Sequence, residues 1–148
     1  MAVKAYEKAY QRIEAELKAG NYKSKGKIVL GTVQGDIHEI GKNILAALCQ
    51  GNGFEVIDLG VEVPASTFLE KAKEMNPDVI GMSALLTTTM PVMQEVIALF
   101  VDAGLRDQFK FVIGGSPVSK EFSDEIGADG YGEDAQSGVE MIRRLLES

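Results

Sequence analysis

A chain of 148 residues with 45% hydrophobic and 25% charged side chains has the make-up of one globular domain, which excludes disorder as its main state. Against 22 acidic residues stand 15 lysines and arginines, and the net charge of −7 argues against nucleic acid and anionic membranes as partners, because little would neutralise phosphate. No apolar run approaches the ~18 residues of a membrane span, the start MAVKAYEKAY lacks a signal-peptide core, and the lone Cys49 excludes an internal disulfide, so the cytoplasm is the expected compartment.

In chain order, residues 3–19 predict an amphipathic helix, because Val3, Tyr6, Tyr10, Ile13 and Leu17 recur three and four apart on one stripe. Gly20 and Asn21 stop it, and 21–26 reads as a linker. Strands are then predicted at Lys27–Val33, Phe54–Leu59, Asp78–Ser83, Lys110–Gly114 and, more faintly, Asp129–Tyr131. Helices are predicted between and after them at about Gly41–Gln50, Ala65–Met75, Met90–Ala103, Ser119–Ile126 and Ala135–Glu147. Short Val- and Ile-rich strands alternating with helices imply βαβ units around a parallel sheet buried on both faces. The expected fold is a five-stranded doubly wound parallel α/β domain of flavodoxin-like order 2-1-3-4-5 over residues 26–148, preceded by one extra helix and linker over 1–25.

Ligands of such sheets sit outside the carboxyl ends of the strands, where the strand order reverses. Here that crevice lies between strands one and three, and His38, the single histidine, falls in the loop after strand one. Asp36 is two residues away, so a carboxylate can hold the imidazole Nδ1–H and leave Nε2 as a lone-pair donor to a metal or a proton. One histidine without Cys or His partners cannot build a tetrahedral zinc site. It can serve as an axial ligand where a macrocycle supplies the remaining coordination. Gly35, Gly41, Gly114 and Gly115 remove side chains where the backbone either meets something bulky or needs a positive φ.

Plainer readings stand beside these. A loop histidine is more often solvated or capping, and Thr87-Thr88-Thr89 can simply cap the helix starting near Met90. Lys42 and Asn43 are expected at the surface of their helix, and Cys49, among Ile44, Leu45 and Leu48, as a buried structural thiol. A receiver's clustered acids after strand one, a Walker loop, a G-x-G-x-x-G helix start and a G-x-S-x-G elbow are all missing.

Three blocks share one pattern: Asp36-x-His38-x-x-Gly41, then 41 residues to Ser83-x-Leu85, then 28 residues to Gly114-Gly115. Together they resemble the cobalamin-binding domain family, and the wording GTVQGDIHEIGKNI, SALLTTTMP and IGADGY is similar to corrinoid protein subunits of methanol-, methylamine- and O-demethylase-type methyltransferase systems. The resemblance implies that His38 is the lower axial ligand of cobalt in place of the cofactor's own base, with Asp36 on its other nitrogen. Thr89 lies where the methionine synthase branch carries a serine that extends this relay. Gly35, Ile37, Ile40 and Gly41 would contact the cofactor around His38. Ser83 and Thr87 would meet the displaced nucleotide tail, Leu85 would line its channel, Gly114 and Gly115 would let it pass, and Ala135 would lie near its end.

By the same resemblance the cofactor is cobalamin or a related corrinoid, cycling between methylcobalamin and cob(I)alamin. The function is that of a methyl carrier between a substrate methyltransferase and an acceptor methyltransferase, with a reductive activator as a further partner, inactive without them. Subunits of this type carry an N-terminal helical cap, and one preceding helix implies that the cap is missing or reduced. Two other readings are the small cobalamin subunit of an adenosylcobalamin-dependent mutase, and a non-catalytic cobalamin sensor or store. The GTVQGDIHEIGKN wording fits a mutase less well, and a sensor should carry an output element such as a basic helix-turn-helix.

Overall fold

The computed structural model describes residues 25–147. The expected helix over 3–19 and most of the linker lie outside the described residues. The elements are β1 (Lys27–Thr32), α1 (Ile40–Gly51), β2 (Glu55–Asp58), α2 (Ala65–Met75), β3 (Val79–Ser83), α3 (Met90–Asp102), a 3₁₀ turn (Arg106–Gln108), β4 (Lys110–Gly114), α4 (Lys120–Ile126), β5 (Gly130–Gly132) and α5 (Ala135–Glu147). The five strands are parallel in the order β2-β1-β3-β4-β5, the doubly wound topology expected.

Strand alternation divides the core between two layers. Ile28, Leu30, Val79 and Val112 face Ala46, Cys49, Val139 and Ile142 of α1 and α5. Val29, Ile80, Phe111 and Ile113 face Phe68, Met93, Val96 and Phe100 of α2 and α3. In that layer Phe100 meets Phe109 and Phe111 edge to face at 5.5 and 4.9 Å. Cys49 is fully buried and burial pushes its thiol up to about 12, so it is a structural thiol, as expected.

Departures from the expected bounds are small and have local causes. Val33 leaves β1 to make a single bridge to Val63, because the chain must already turn toward the Asp36 loop. Phe54 and Leu59 flank β2 without joining it. Ser119 is the cap of α4, accepting the Phe122 N–H at 3.1 Å, and not its first helical residue.

The strand order brings the loops after β1, β3 and β4 side by side at one sheet edge. There Gly115, at φ +127°, crosses so close to the next loop that a Cβ on it would lie 1.7 Å from the Ala84 carbonyl oxygen. Gly115→Ala is therefore expected to destabilise the domain by about 1–3 kcal/mol from backbone strain alone, and more through the clash. Urea unfolding of the variant measures it, and an unchanged midpoint would contradict the packing described.

Candidate cofactor site

Asp36 is fully buried, and every acceptor position of its carboxylate is occupied. Oδ1 accepts the His38 backbone N–H at 3.1 Å and lies 2.9 Å from His38 Nδ1. Oδ2 accepts the Leu85 N–H at 2.7 Å, the Leu86 N–H at 3.3 Å and the Thr89 hydroxyl at 2.9 Å. Burial by itself would raise this carboxyl. The Leu85 N–H, the His38 ring and N–H, and the Thr89 hydroxyl outweigh burial and hold it well below the usual carboxylate range.

An ionised carboxylate only accepts, so Nδ1–H of His38 is the donor to Asp36 Oδ1, and in the neutral ring the lone pair is then on Nε2. The His38 side chain is half exposed. The loop is pinned at both carbonyls: Asp36 C=O accepts the Glu62 N–H at 3.0 Å, and His38 C=O accepts the Thr32 hydroxyl at 2.9 Å. Asp36, His38 and Thr89 thus form one connected relay. Thr89 precedes α3 but does not cap it through its side chain. Its single hydroxyl proton lies between Asp36 Oδ2 and the Leu86 carbonyl, both at 2.9 Å.

Beside His38 a cleft of about 770 Å³ runs from the first turn of α1, across the ends of β3, β4 and β5, to the first turn of α5. Ile37, Ile40, Ile44 and Leu85 line its mouth although they are between 42% and 77% exposed, an apolar surface with no protein over it among the described residues. Further in, the walls are Met82, Leu45, Val112 and Ile113. Glycines set the floor. A Cβ on Gly132 would stand 2.6 Å from Gly138 Cα, and one on Gly114 would be 3.0 Å from the Gly132 carbonyl oxygen. Side chains at these positions would force the elements beneath the cleft apart.

Gly41 is different. It lies in the first turn of α1 with no positive φ, and a Cβ added there meets no atom within 4 Å. The helix gains nothing from glycine at this place. The room it leaves belongs to the cleft.

Of the residues expected to contact a cofactor, Ile37, His38, Ile40, Gly41, Ser83, Leu85, Gly114, Gly115 and Ala135 line this one cleft. Gly35, at φ +88°, turns the chain behind it, and Thr87 is exposed on the β3–α3 loop outside the lining. Reasoning from the sequence missed Gly132 and Gly138, for which small residues spaced along β5 and α5 were the only signal. It also misplaced Lys42. That side chain is buried, 3% exposed, with Nζ 2.8 and 2.7 Å from the two carboxylate oxygens of Asp58 and 2.7 Å from Asn43 Oδ1. A lysine in a first helical turn reads as solvated. Here the end of β2 places a carboxylate under it.

Among the described residues no group of three or more His, Cys, Asp or Glu gathers as a metal shell, and no helix is long and apolar enough to cross a membrane. One imidazole clamped by a buried carboxylate thus stands at the wall of a large, largely apolar cleft, an arrangement suited to a bulky ligand. Residues 26–140 match the family described as B12 binding domain, and the chain belongs to that family, whose cofactor is cobalamin or a related corrinoid.

A corrinoid protein of Desulfitobacterium hafniense strain Y51 is 52% identical over 123 residues, covering 83% of this chain and 57% of that protein. Dimethylamine corrinoid protein 3 of Methanosarcina acetivorans is 46% identical over 146 residues, covering 99% of this chain and 68% of its relative. Among solved structures, the methanol:cobalamin methyltransferase complex MtaBC from Methanosarcina barkeri superposes with a TM-score of 0.80 at 35% identity, covering 85% of this chain and 48% of that one. The chain therefore spans less than two thirds of the first of these relatives and about half of the chain in the complex.

Proposed function

We propose that the chain is a corrinoid-bearing methyl carrier, taking a methyl group from a substrate methyltransferase and presenting it to an acceptor methyltransferase. The observation that carries this reading is His38, fixed by a buried anion and aimed beside a cleft whose empty space at Gly41 the fold itself does not use. The relatives named for methylamine and methanol systems support it.

His38 Nε2 would hold the cobalt of a bound corrinoid, which would supply a metal able to accept and release a methyl group. The chain's own residues do the rest. Asp36 fixes the tautomer that leaves Nε2 free, and the Leu85 and Leu86 amides with Thr89 keep Asp36 an anion. Ile37, Ile40 and Leu85 would exclude water from a bound corrinoid, and Gly114, Gly115 and Ala135 would leave room for it along the cleft. In this reading a reductive activator is a further partner, and the chain alone turns nothing over.

The test loads the chain with methylcobalamin and incubates it alone, then with a corrinoid-dependent acceptor methyltransferase and its acceptor. The methyl group is expected to stay in place alone and to be lost when the enzyme is added. A preference for adenosylcobalamin with no methyl exchange would replace this reading with the mutase one, and binding without any exchange would favour a store.

A further inference from the structure

Lys42 lies one residue past Gly41 and its side chain is 2% exposed against the cofactor cleft, yet it cannot be a ligand of anything in that cleft. An ammonium group has three N–H donors, and Asp58 Oδ1, Asp58 Oδ2 and Asn43 Oδ1 lie within 2.8 Å to receive them. What the pair holds is the β2–α2 loop. Asp58 Oδ1 also accepts the Gly60 N–H at 2.8 Å, fixing Gly60 at φ +91°. The Gly60 carbonyl accepts the Thr32 N–H at 3.0 Å, and the Thr32 hydroxyl supports the His38 carbonyl. Two residues on, Glu62 is held in the left-handed region at φ +52°, an unfavourable place for a residue with a side chain, and there its N–H reaches the Asp36 carbonyl. One carbonyl anchor of the axial-ligand loop, the Glu62 N–H, thus belongs to the loop that Lys42 and Asp58 clamp, and the other, Thr32 of β1, meets that loop at Gly60.

We infer that Lys42 is a positioning residue for the axial histidine: through Asp58 and the 59–63 loop it sets where His38 Nε2 stands relative to a bound corrinoid. The inference rests on the cobalamin reading above. Lys42 is buried but Asp58 is partly exposed, so the pair is weak evidence for stability, and the loop geometry it imposes is the better reason for a buried ammonium here.

Lys42→Met keeps the stem packed while removing the ammonium, and Asp58, which is partly exposed, can then turn to water. Arg106→Met is the matched control. It breaks the Arg106–Asp129 pair, 3.1 Å long, which precedes β4 and β5 at the opposite sheet edge. Each full-length variant is loaded with hydroxocobalamin. The ratio of histidine-on to histidine-off cofactor is read from the visible spectrum and from nitrogen splitting in the electron paramagnetic resonance of the reduced sample. Amide exchange of residues 34–40 is followed in the cofactor-free protein.

Lys42→Met is expected to lower the ratio about tenfold and to speed exchange in that segment, whereas Arg106→Met lowers Tm and moves neither. Asp58→Asn, which keeps one oxygen for Gly60 and Lys42, should fall between and carries the test if Lys42→Met does not fold. Wild-type values of ratio and exchange in Lys42→Met, or in Asp58→Asn where that variant stands in for it, would overturn the inference. A wild type that binds hydroxocobalamin with no histidine signature would instead overturn the axial role of His38 on which the inference rests.

Discussion

Asp36→Ala is expected to cost about 3–5 kcal/mol of folding stability, because it removes the fully buried acceptor shared by the Leu85 and His38 N–H groups, the half-exposed His38 ring and the Thr89 hydroxyl. Its signature is also in the acid limb. The folded carboxyl is held below its ordinary value of 3.8, so the unfolded chain takes up this proton more readily than the folded one. The stability from Asp36 is therefore complete above that ordinary value and is lost as pH falls from there toward the lower folded value. Urea unfolding followed from about pH 7 to about pH 2.5 should show the wild type losing stability faster than Asp36→Ala on acidification. Parallel acid limbs in the two proteins would mean that the carboxylate is not held as the anion described.

The second large effect is at Gly41, and it has the opposite character. A leucine there meets no protein atom near its Cβ and replaces the poorest non-proline helix former, so the fold should be as stable as the wild type or more so by about 0.5–1 kcal/mol. The side chain would instead stand in the cleft beside His38. Gly41→Leu is expected to weaken hydroxocobalamin binding at least about a hundredfold, more than 2.7 kcal/mol, while Gly41→Ala weakens it less. Equilibrium binding and thermal melts on the same samples separate the two. Normal binding in Gly41→Leu would show that the open space at this glycine is not where the cofactor goes.

Much of this site was legible because its parts are local in the sequence. Asp36 and His38 meet across two residues, and an Asp–His bond needs no tertiary information. The three motif blocks converge because β1, β3 and β4 are neighbours, which the βαβ alternation already implied. What stayed hidden depends on partners far along the chain. By spacing alone the Thr89 hydroxyl is a local helix cap, and only the resemblance joined it to Asp36, a carboxylate 53 residues earlier. Lys42 looks solvated because nothing in the periodicity of α1 says that the end of β2 delivers Asp58 beneath it. Glu62 in the left-handed region has no sequence signal, since glycine or asparagine is the usual mark of that conformation. The wider passage shows the same limit: Gly132 and Gly138 are ordinary small residues until α5 settles directly on β5.

The central claim is that His38 Nε2 is the axial nitrogen, and one titration tests it most directly. The cofactor-free chain and His38→Ala are titrated with hydroxocobalamin, and the visible spectra of the bound forms are compared. The account predicts that the wild type binds with the spectrum of histidine on cobalt and that His38→Ala loses that signature. Identical bound spectra for the two proteins would contradict it, leaving the cleft as a binding site but removing His38 from the metal.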